Sequence, residues 1–392
     1  MNDMNGAPRG ERITIGFFGR RNVGKSSLIN AFASQDISIV SDAPGTTTDP
    51  VTKAMELLPA GAVTLIDTPG SDDDGILGRE RVSRTMDVLR RVDVAVLVTD
   101  GGIGEHEKRL MALFEEQGIP YLTVHSKCDM LSAIPDDGIY VSARDGTGID
   151  RLRHAAAELC LSAAESREER HIAADLVSPG DVVVLCIPID EAAPKGRLIL
   201  PQSAVLRDLI GAGVTVVSVR DTELRDVFGK LSRRPSLVIT DSQAFAAADR
   251  DTPDDIPLTS FSILMARYKG FLDMAVRGAQ VIDTLPEGSR ILISEGCTHR
   301  RQCGDIGTVK LPRLLERRTG KTFDHTFTSG GTFPEDVTTY DLIIHCGGCM
   351  LTEREVRSRM RSASLQHTPV TNYGIALAHL NGILERALSP FS

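Results

Sequence analysis

Residues 16–30 have the sequence GFFGRRNVGKSSLIN, and this stretch decides the fold of the first part of the chain. It contains Gly19, four further residues, and then Gly24, Lys25 and Ser26, and it lies between an apolar run and a helical pattern. Glycines at these positions let backbone N–H groups surround phosphates, Lys25 can reach the β and γ oxygens, and the Ser26 hydroxyl can bind Mg²⁺. The stretch therefore predicts a phosphate-binding loop.

The sequence around this loop alternates between strand-like and helix-like segments from residue 13 to residue 158. The apolar runs are ITIGFF, AVTLIDT, VAVLVTD, PYLTVHS and GIYVSA. Such alternation is typical of a doubly wound sheet with helices on both faces. We predict one α/β domain here, with bounds at residues 1–165.

Two further motifs follow predicted strands. DTPG at 67–70 places Asp67 where it can hold the Mg²⁺ shell and the Gly70 N–H where it can meet a γ-phosphate. SKCD at 126–129 places Asp129 where it can accept hydrogen bonds from guanine N1 and N2, a donor pattern that adenine does not supply. Together the motifs predict GTP and Mg²⁺ as ligands.

A fourth motif, SAR at 142–144, completes the base pocket, and the set resembles a Ras-like P-loop GTPase domain. Ser126 stands where small GTPases usually carry asparagine, and Lys127 still favours guanine. The predicted catalytic residues are Lys25, Thr47, Asp67 and Gly70. The predicted nucleotide-binding residues are Gly19, Asn22, Val23, Gly24, Lys25, Ser26, Ser27, Lys127, Asp129, Ser142 and Ala143.

The stretch DAPGTTTDP at 42–50 is similar to the effector loop of the tRNA-modification and ribosome-assembly GTPases. That resemblance implies that Thr47 joins Ser26 as a Mg²⁺ ligand. It also implies that Asn22 helps to bind an activating K⁺. Ser71 occupies the position of the glutamine that orients water in Ras-type enzymes, so we expect slow intrinsic hydrolysis.

The α/β alternation resumes between residues 176 and 255, with nearly continuous apolar strands that should be buried on both faces. No catalytic constellation is visible there, so we interpret residues 166–257 as a linker and α/β dimerisation domain. After it, residues 260–285 predict a helix broken near Gly270. The C-terminal α/β domain, residues 258–392, is predicted to close with one helix over residues 372–388.

Cysteines and histidines cluster after two strands of that C-terminal domain. Cys297 and His299 follow RILISE, and His345, Cys346 and Cys349 follow YDLIIH. If the strands are parallel neighbours, both loops leave the same sheet edge and the ligands converge. The spacing alone favours neither a structural zinc site nor an iron–sulfur cluster.

The C-x-H and H-C-x-x-C pair, joined to a K⁺-type GTPase domain, resembles the HydF family of [FeFe]-hydrogenase maturation GTPases over essentially the whole chain. The resemblance implies a homodimeric scaffold and carrier that binds a [4Fe–4S] cluster and a di-iron subcluster precursor. It would receive the precursor from two radical-SAM maturases and deliver it to apo-[FeFe]-hydrogenase. It implies Cys297, Cys346 and Cys349 as cluster ligands, with His299 and His345 as candidates for the fourth. Cys303 could close the site or be an idle loop thiol, the second being the simpler interpretation, and Asp305 is another nearby donor.

Composition limits the alternatives. The 392 residues carry a formal net charge of −9, so no basic excess is available for a nucleic-acid backbone. This counts against the competing hypothesis, an RNA-modification or ribosome-assembly GTPase with a zinc-stapled C-terminal domain. The N-terminus lacks an apolar signal region and the apolar runs are short, so we expect a cytoplasmic protein without a membrane partner. Cys128, Cys160 and Cys186 are interpreted as buried packing residues.

Overall fold

The computed structural model describes residues 12–33, 52–68, 85–165, 170–189, 198–296, 305–348 and 351–391. The chain divides into two compact units, residues 1–169 and 170–392. The first unit holds one sheet and the second holds two.

The sheet of the first unit has the strand order β2-β3-β1-β4-β5-β6, in which only β2 is antiparallel to its neighbour. Its strands are β1 (Ile13–Phe18), β2 (Thr52–Leu57), β3 (Gly61–Asp67), β4 (Val94–Thr99), β5 (Tyr121–His125) and β6 (Ile139–Tyr140). Its described helices are α1 (Lys25–Ala33), α2 (Glu105–Glu116) and α3 (Ile149–Glu165), with further helical residues at 85–89. Separate apolar clusters pack on the two faces, one on α1 and α3 and the other on α2, as the alternating sequence pattern predicts.

The first sheet of the second unit is parallel throughout, in the order β10-β9-β7-β8. Its strands are β7 (Val182–Cys186), β8 (Thr215–Val219), β9 (Leu237–Thr240) and β10 (Leu258–Ser260). The accompanying helices are α4 (Leu200–Gly211), α5 (Leu224–Lys230), α6 (Phe245–Asp251) and α7 (Phe261–Tyr268). Because β10 pairs with β9, this sheet continues past residue 257, where the sequence predicted a domain boundary.

The second sheet of this unit is also parallel, in the order β12-β11-β13-β14. Its strands are β11 (Arg290–Ser294), β12 (Asp324–Thr328), β13 (Leu342–His345) and β14 (Val370–Asn372). The helices are α8 (Leu272–Gln280), α9 (Leu311–Thr319), α10 (Glu353–Leu365), α11 (Tyr373–Leu380) and α12 (Leu384–Leu388), with a π-helical turn at Ile306–Lys310.

The two parallel sheets share one topology. In each sheet, the first strand lies between the second and the third strands. The chain therefore places the second strand on one side of the first and the third strand on the other, and the direction of the connections reverses between the first and third strands. Ligands of open α/β sheets bind outside the carboxyl ends of the strands at such a switch point. In the last sheet that point lies between β11 and β13, the two strands that precede the cysteine loops.

Three sequence predictions differ from the structure. The closing helix is two helices, α11 and α12, because the backbone enters the left-handed region at Gly382, with φ of 74°. Strand β8 is half exposed rather than buried on both faces, because it is an edge strand. Strands β2, β10, β12 and β14 were not predicted, since they are short or partly polar. The predicted helix break is observed at Gly270, whose φ is 77°.

Candidate functional site

The phosphate-binding loop joins the carboxyl end of β1 to the start of α1. Gly19 has φ of 143°, and a Cβ there would collide with the carbonyl oxygen of Val98. Gly24 has φ of 95° and Asn22 has φ of 62°, both in the left-handed region that ordinary side chains avoid. These residue types are therefore required by the path of the backbone, which wraps closely around the place of a bound phosphate.

Lys25 is buried at the first position of α1. Its Nζ donates hydrogen bonds to the carbonyl oxygens of Gly19, at 2.9 Å, and Arg20, at 2.7 Å. These two hydrogen bonds hold the ammonium group against the backbone of the phosphate-binding loop. A lysine at this position of the loop can reach phosphate oxygens.

Ser26 and Asp67 come together at the edge of the sheet. Strand β3 pairs with β1 so that Asp67 lies opposite Phe17, and the Ser26 hydroxyl donates to Asp67 Oδ2 at 2.5 Å. The other carboxylate oxygen, Oδ1, is buried and accepts no hydrogen bond from any described residue. A hydroxyl beside a carboxylate with an unpartnered oxygen fits Mg²⁺, which prefers oxygen ligands. Ser27 is exposed on the next position of α1.

Ser126 connects the base-binding end of the sheet to the phosphate-binding loop. Its hydroxyl donates to the carbonyl oxygen of Val23 at 2.5 Å, and its backbone N–H donates to the carbonyl of Thr99 at 2.7 Å. The serine that departs from the usual motif therefore has a structural role. It links β5, β4 and the phosphate-binding loop.

Lys127 and Asp129 continue the same turn. Lys127 has φ of 58°, and its Nζ donates to Asp100 at 2.7 Å. That hydrogen bond is the main reason why the pKa of Asp100 is lowered. The side chain of Asp129 is mostly buried and lies 3.9 Å from the guanidinium of Arg144. Its carboxylate can accept hydrogen bonds from a base.

Ser142 organises the last nucleotide-binding motif. The residue is fully buried, and its hydroxyl accepts hydrogen bonds from the backbone N–H groups of Arg144, at 3.3 Å, and Asp145, at 3.4 Å. Ala143 is exposed in the turn that these bonds close. Ser142 therefore shapes the backbone of the predicted base pocket.

An ion pair between a buried glutamate and a partly exposed arginine lies beside the phosphate-binding loop and was not predicted from the sequence. Glu107, in the first turn of α2, has 0% exposure. Its Oε1 accepts from Nε of Arg20 at 2.7 Å, and its Oε2 accepts from the backbone N–H of Gly104 at 3.0 Å. In the sequence, a carboxylate in the first turn of a helix indicates only a cap of the helix N-terminus. Its pairing with Arg20 depends on a contact 87 residues away in the chain.

The cysteine-bearing edge of the last sheet has the predicted arrangement of strands. Strands β11 and β13 are parallel neighbours, with Ser294 opposite His345. The backbone N–H of Gly296 donates to Sγ of Cys346 at 2.9 Å, and that of Gly348 donates to the same sulfur at 3.3 Å. Two N–H donors directed at one sulfur fit a thiolate that ligates a metal cluster, because such bonds stabilise the negative charge on sulfur.

His345 is completely buried, and both of its ring nitrogens are used inside the protein. Nε2 lies 3.2 Å from Nη1 of Arg359, which can only donate, so Nε2 accepts. Nδ1 therefore carries the proton and donates to the carbonyl of Cys346 at 2.6 Å. Burial, followed by the positive charge of Arg359, lowers the pKa of His345 to about 3. These bonds argue against His345, a candidate from the sequence, as an iron ligand.

Acidic groups also lie near Cys346. Glu295 is nearly buried and accepts a hydrogen bond from the Tyr373 hydroxyl at 3.2 Å. Burial, with the negative charges of Glu295 and Cys346, raises the pKa of Tyr373 far above its usual range. Asp305, the nearby donor noted in the sequence, accepts from the backbone N–H of Thr308 at 2.9 Å and from its hydroxyl at 3.0 Å. Asp305 thus caps the following helical turn.

Several predicted site residues lie outside the described part of the chain. They are Thr47, Gly70, Cys297, His299, Cys303 and Cys349. Within the ranges that the structure describes, no group of three or more His, Cys, Asp or Glu side chains could hold a metal ion. The role of these residues therefore stays a prediction.

The remaining cysteines match their interpretation as packing residues. Cys128, Cys160 and Cys186 are all buried and free. Burial raises the pKa of Cys160 to about 12 and that of Cys186 to about 11. Such thiols are poor nucleophiles and poor metal ligands.

Fold and site together define a P-loop GTPase domain joined to two further α/β domains. Residues 14–127 match the sequence model of the family described as 50S ribosome-binding GTPase. Residues 172–270 match the hydrogen maturase F dimerization domain, and residues 273–390 match the hydrogen maturase F tetramerization domain. The chain belongs to the hydrogen maturase F family. The competing hypothesis of an RNA-type GTPase is not favoured, because both C-terminal domains match this family.

Two similar curated proteins each match part of the chain. The tRNA modification GTPase MnmE of Thiobacillus denitrificans is 37% identical over 152 residues, which cover 36% of this chain and 33% of that protein. GTPase Der of Kosmotoga olearia is 31% identical over 166 residues, which cover 36% of this chain and 37% of that protein. The chain thus spans about a third of the length of these curated relatives.

Among solved structures, the G domain of the FeoB iron transporter of T. maritima has 21% sequence identity to this chain. The matched region covers 40% of this chain and 100% of that structure's chain. Its TM-score is 0.31, which is too low to support an inference. In the described part of the chain, no helix combines the length and the apolar character needed to cross a bilayer.

Proposed function

We propose that this protein is a GTP-hydrolysing scaffold for assembly of the [FeFe]-hydrogenase active site. It would bind a [4Fe–4S] cluster and carry a di-iron subcluster precursor as cargo. The precursor would come from radical-SAM maturases and pass to apo-[FeFe]-hydrogenase. Family membership supports the maturation role.

One observation carries the cluster assignment. The Gly296 N–H donates to Cys346 Sγ, so the residue before Cys297 touches the sulfur of Cys346 at the switch point of the sheet. Cys297, Cys346 and Cys349 would then supply three thiolates at one edge. A [4Fe–4S] cluster held by three cysteines keeps one iron open to another ligand, which suits a carrier.

His299 is the remaining histidine candidate for the fourth ligand, since His345 has both nitrogens bonded within the protein. Lys269, Arg359 and His345 are buried beside the Cys346 loop. These residues would hold the loop. The cluster itself, when bound, would supply redox-active iron.

GTP would occupy the loop at residues 19–26, with Lys25 at the phosphates and Asp129 at the base. Ser26, Asp67 and Thr47 would hold Mg²⁺, and the Gly70 N–H would meet the γ-phosphate. Asn22 would help to bind K⁺. Its left-handed backbone conformation, with φ of 62°, is part of the path of the phosphate-binding loop. With Ser71 in place of a water-orienting glutamine, we expect a slow switch rather than a motor.

The protein carries dimerization and tetramerization domains of its family, and so forms oligomers. We propose a homodimer held through residues 176–255 as the basic assembly, in the cytoplasm and without nucleic acid as a partner. Light scattering at micromolar concentration tests this, and a monomer would contradict it.

The experiment that tests the function is analysis of anaerobically prepared protein for iron, zinc and acid-labile sulfide, with an EPR spectrum after dithionite reduction. About four irons and four sulfides per chain with a reduced-cluster signal are expected. One zinc and no sulfide would overturn the cluster assignment.

A further inference from the structure

Ser126 stands in the turn that is assigned to the guanine base, but its side chain is bonded to the protein backbone. Its Oγ lies 2.5 Å from the carbonyl oxygen of Val23 and 3.2 Å from that of Thr99. Both neighbours only accept, so the hydroxyl proton is used within the protein. We propose that Ser126 is a specificity-determining residue that leaves N7 of guanine without a hydrogen bond from this turn, an inference that rests on the proposed position of GTP.

Guanine has two edges of opposite character. N1–H and the N2 amino group donate hydrogen bonds, whereas N7 and O6 accept them. The Asp129 carboxylate only accepts, so it can pair with N1 and N2 and cannot serve N7 or O6. With 19% of its side chain exposed, Asp129 can bond the base largely shielded from water, which strengthens such a bond. Recognition of N7 therefore needs a donor from another residue.

The number of donor protons distinguishes serine from asparagine at position 126. An asparagine amide has two protons, so it can bond the Val23 carbonyl and still direct one proton to the base. A serine hydroxyl has one proton, and the contact with Val23 uses it. Ser126 thus keeps the connection to the phosphate-binding loop and gives up a contact with N7.

The other donors of the predicted base pocket have different positions. The Lys127 ammonium is held by Asp100 at 2.7 Å in a charge-assisted hydrogen bond. The backbone N–H of Ala143 has no hydrogen-bond partner among the residues that the structure describes, and it can donate to O6. Recognition of O6 can therefore come from the backbone, whereas recognition of N7 depends on residue 126.

The test compares three nucleotides by calorimetry on the full-length protein with Mg²⁺. They are GTP, 7-deaza-GTP, in which C–H replaces N7, and ITP, which lacks the N2 amino group. For the wild type we expect the dissociation constants of GTP and 7-deaza-GTP to agree within about twofold, because no hydrogen bond to N7 is lost. ITP should bind at least about tenfold more weakly, since Asp129 loses a charge-assisted partner. A larger difference between GTP and 7-deaza-GTP would overturn the proposal.

The variant Ser126→Asn gives the complementary measurement. Its second amide proton should create a preference for GTP over 7-deaza-GTP of about fivefold, the effect of one neutral hydrogen bond. Ser162→Asn, at an exposed position of α3, is the matched control and should show no such preference. A folded Ser126→Asn protein that binds GTP without this preference would show that residue 126 does not face N7, and the proposal would fail. If the variant does not fold, the wild-type comparison still decides.

Failure of the proposed function would give a different pattern. Wild-type protein that binds ATP as tightly as GTP, or binds neither, would remove the guanine assignment itself. Discrimination against ATP and ITP but not against 7-deaza-GTP supports both the GTP site and the role of Ser126. Discrimination against all three analogues would keep the GTP site and overturn the role of Ser126.

Discussion

The backbone N–H of Gly296 lies 2.9 Å from Sγ of Cys346, although the two residues are 50 positions apart in the chain. This hydrogen bond joins the loops that follow two neighbouring parallel strands. It connects the loops that carry the proposed cluster ligands, and it makes Cys346 the central thiol of the candidate site.

Replacement Cys346→Ala should abolish cluster assembly. Iron per chain after anaerobic reconstitution should fall from about four to near zero, because a central thiolate is lost. GTP turnover should be unaffected, since the nucleotide site lies in the other unit. Cys160→Ala is the control, a buried thiol of the GTPase domain, and it should retain the iron. Full iron content in Cys346→Ala would contradict the assignment.

Replacement Lys25→Ala should remove GTP hydrolysis and weaken GTP binding by about 100-fold, because charge-assisted bonds to the phosphates are lost. Calorimetry and a phosphate-release assay measure the two effects. Lys108→Ala, at an exposed lysine of α2, should behave like the wild type. Unchanged turnover in Lys25→Ala would show that the phosphate-binding loop is assigned wrongly.

Replacement Ser126→Ala removes the hydroxyl that donates to Val23. We expect guanine-nucleotide affinity to fall by about threefold to tenfold, the range for one neutral hydrogen bond that orders the site. Fluorescent-nucleotide titration measures it, with Ser203→Ala on α4 as the control. Equal affinity in the two variants would mean that Ser126 does not support the loop.

Replacement Glu107→Gln should lower the unfolding free energy of the GTPase domain by about 1–3 kcal/mol, because a buried carboxylate no longer meets the Arg20 guanidinium. Glu105→Gln, at an exposed position of the same helix, should change it little. Denaturant unfolding measures both. A double-mutant cycle with Arg20→Met isolates the coupling, and a coupling near zero would count against a working ion pair.

Replacement His345→Gln distinguishes a supporting role from ligation. Since both ring nitrogens are bonded to Arg359 and Cys346, iron per chain should remain at the wild-type level. The unfolding free energy should fall by about 1–3 kcal/mol through the loss of a buried hydrogen bond. His379→Gln, which breaks a bond to Asp283 at a more exposed site, is the control. Loss of iron in His345→Gln alone would restore His345 as a ligand.

Local features of the fold were predictable from sequence. The run ITIGFF corresponds to β1 residue for residue, and the phosphate-binding loop, the break at Gly270 and the apolar strands β7 and β9 are also as predicted. These features depend on periodicity and on glycine conformations, which neighbouring residues determine. Strands β2, β10, β12 and β14 escaped prediction, because pairing with other strands stabilises them more than their own composition does.

What the sequence by itself determined is the identity and order of the chemical motifs: a guanine-nucleotide site first and clustered cysteines last. The tertiary structure alone decided which side chains meet. Ser126 contacts Val23 across 103 residues, Arg20 contacts Glu107 across 87, and Lys269 contacts Gly348 across 79. Such contacts follow from the order of strands in a sheet and from the packing of helices on it. No local pattern specifies them, because each partner alone is an ordinary serine, glutamate or lysine.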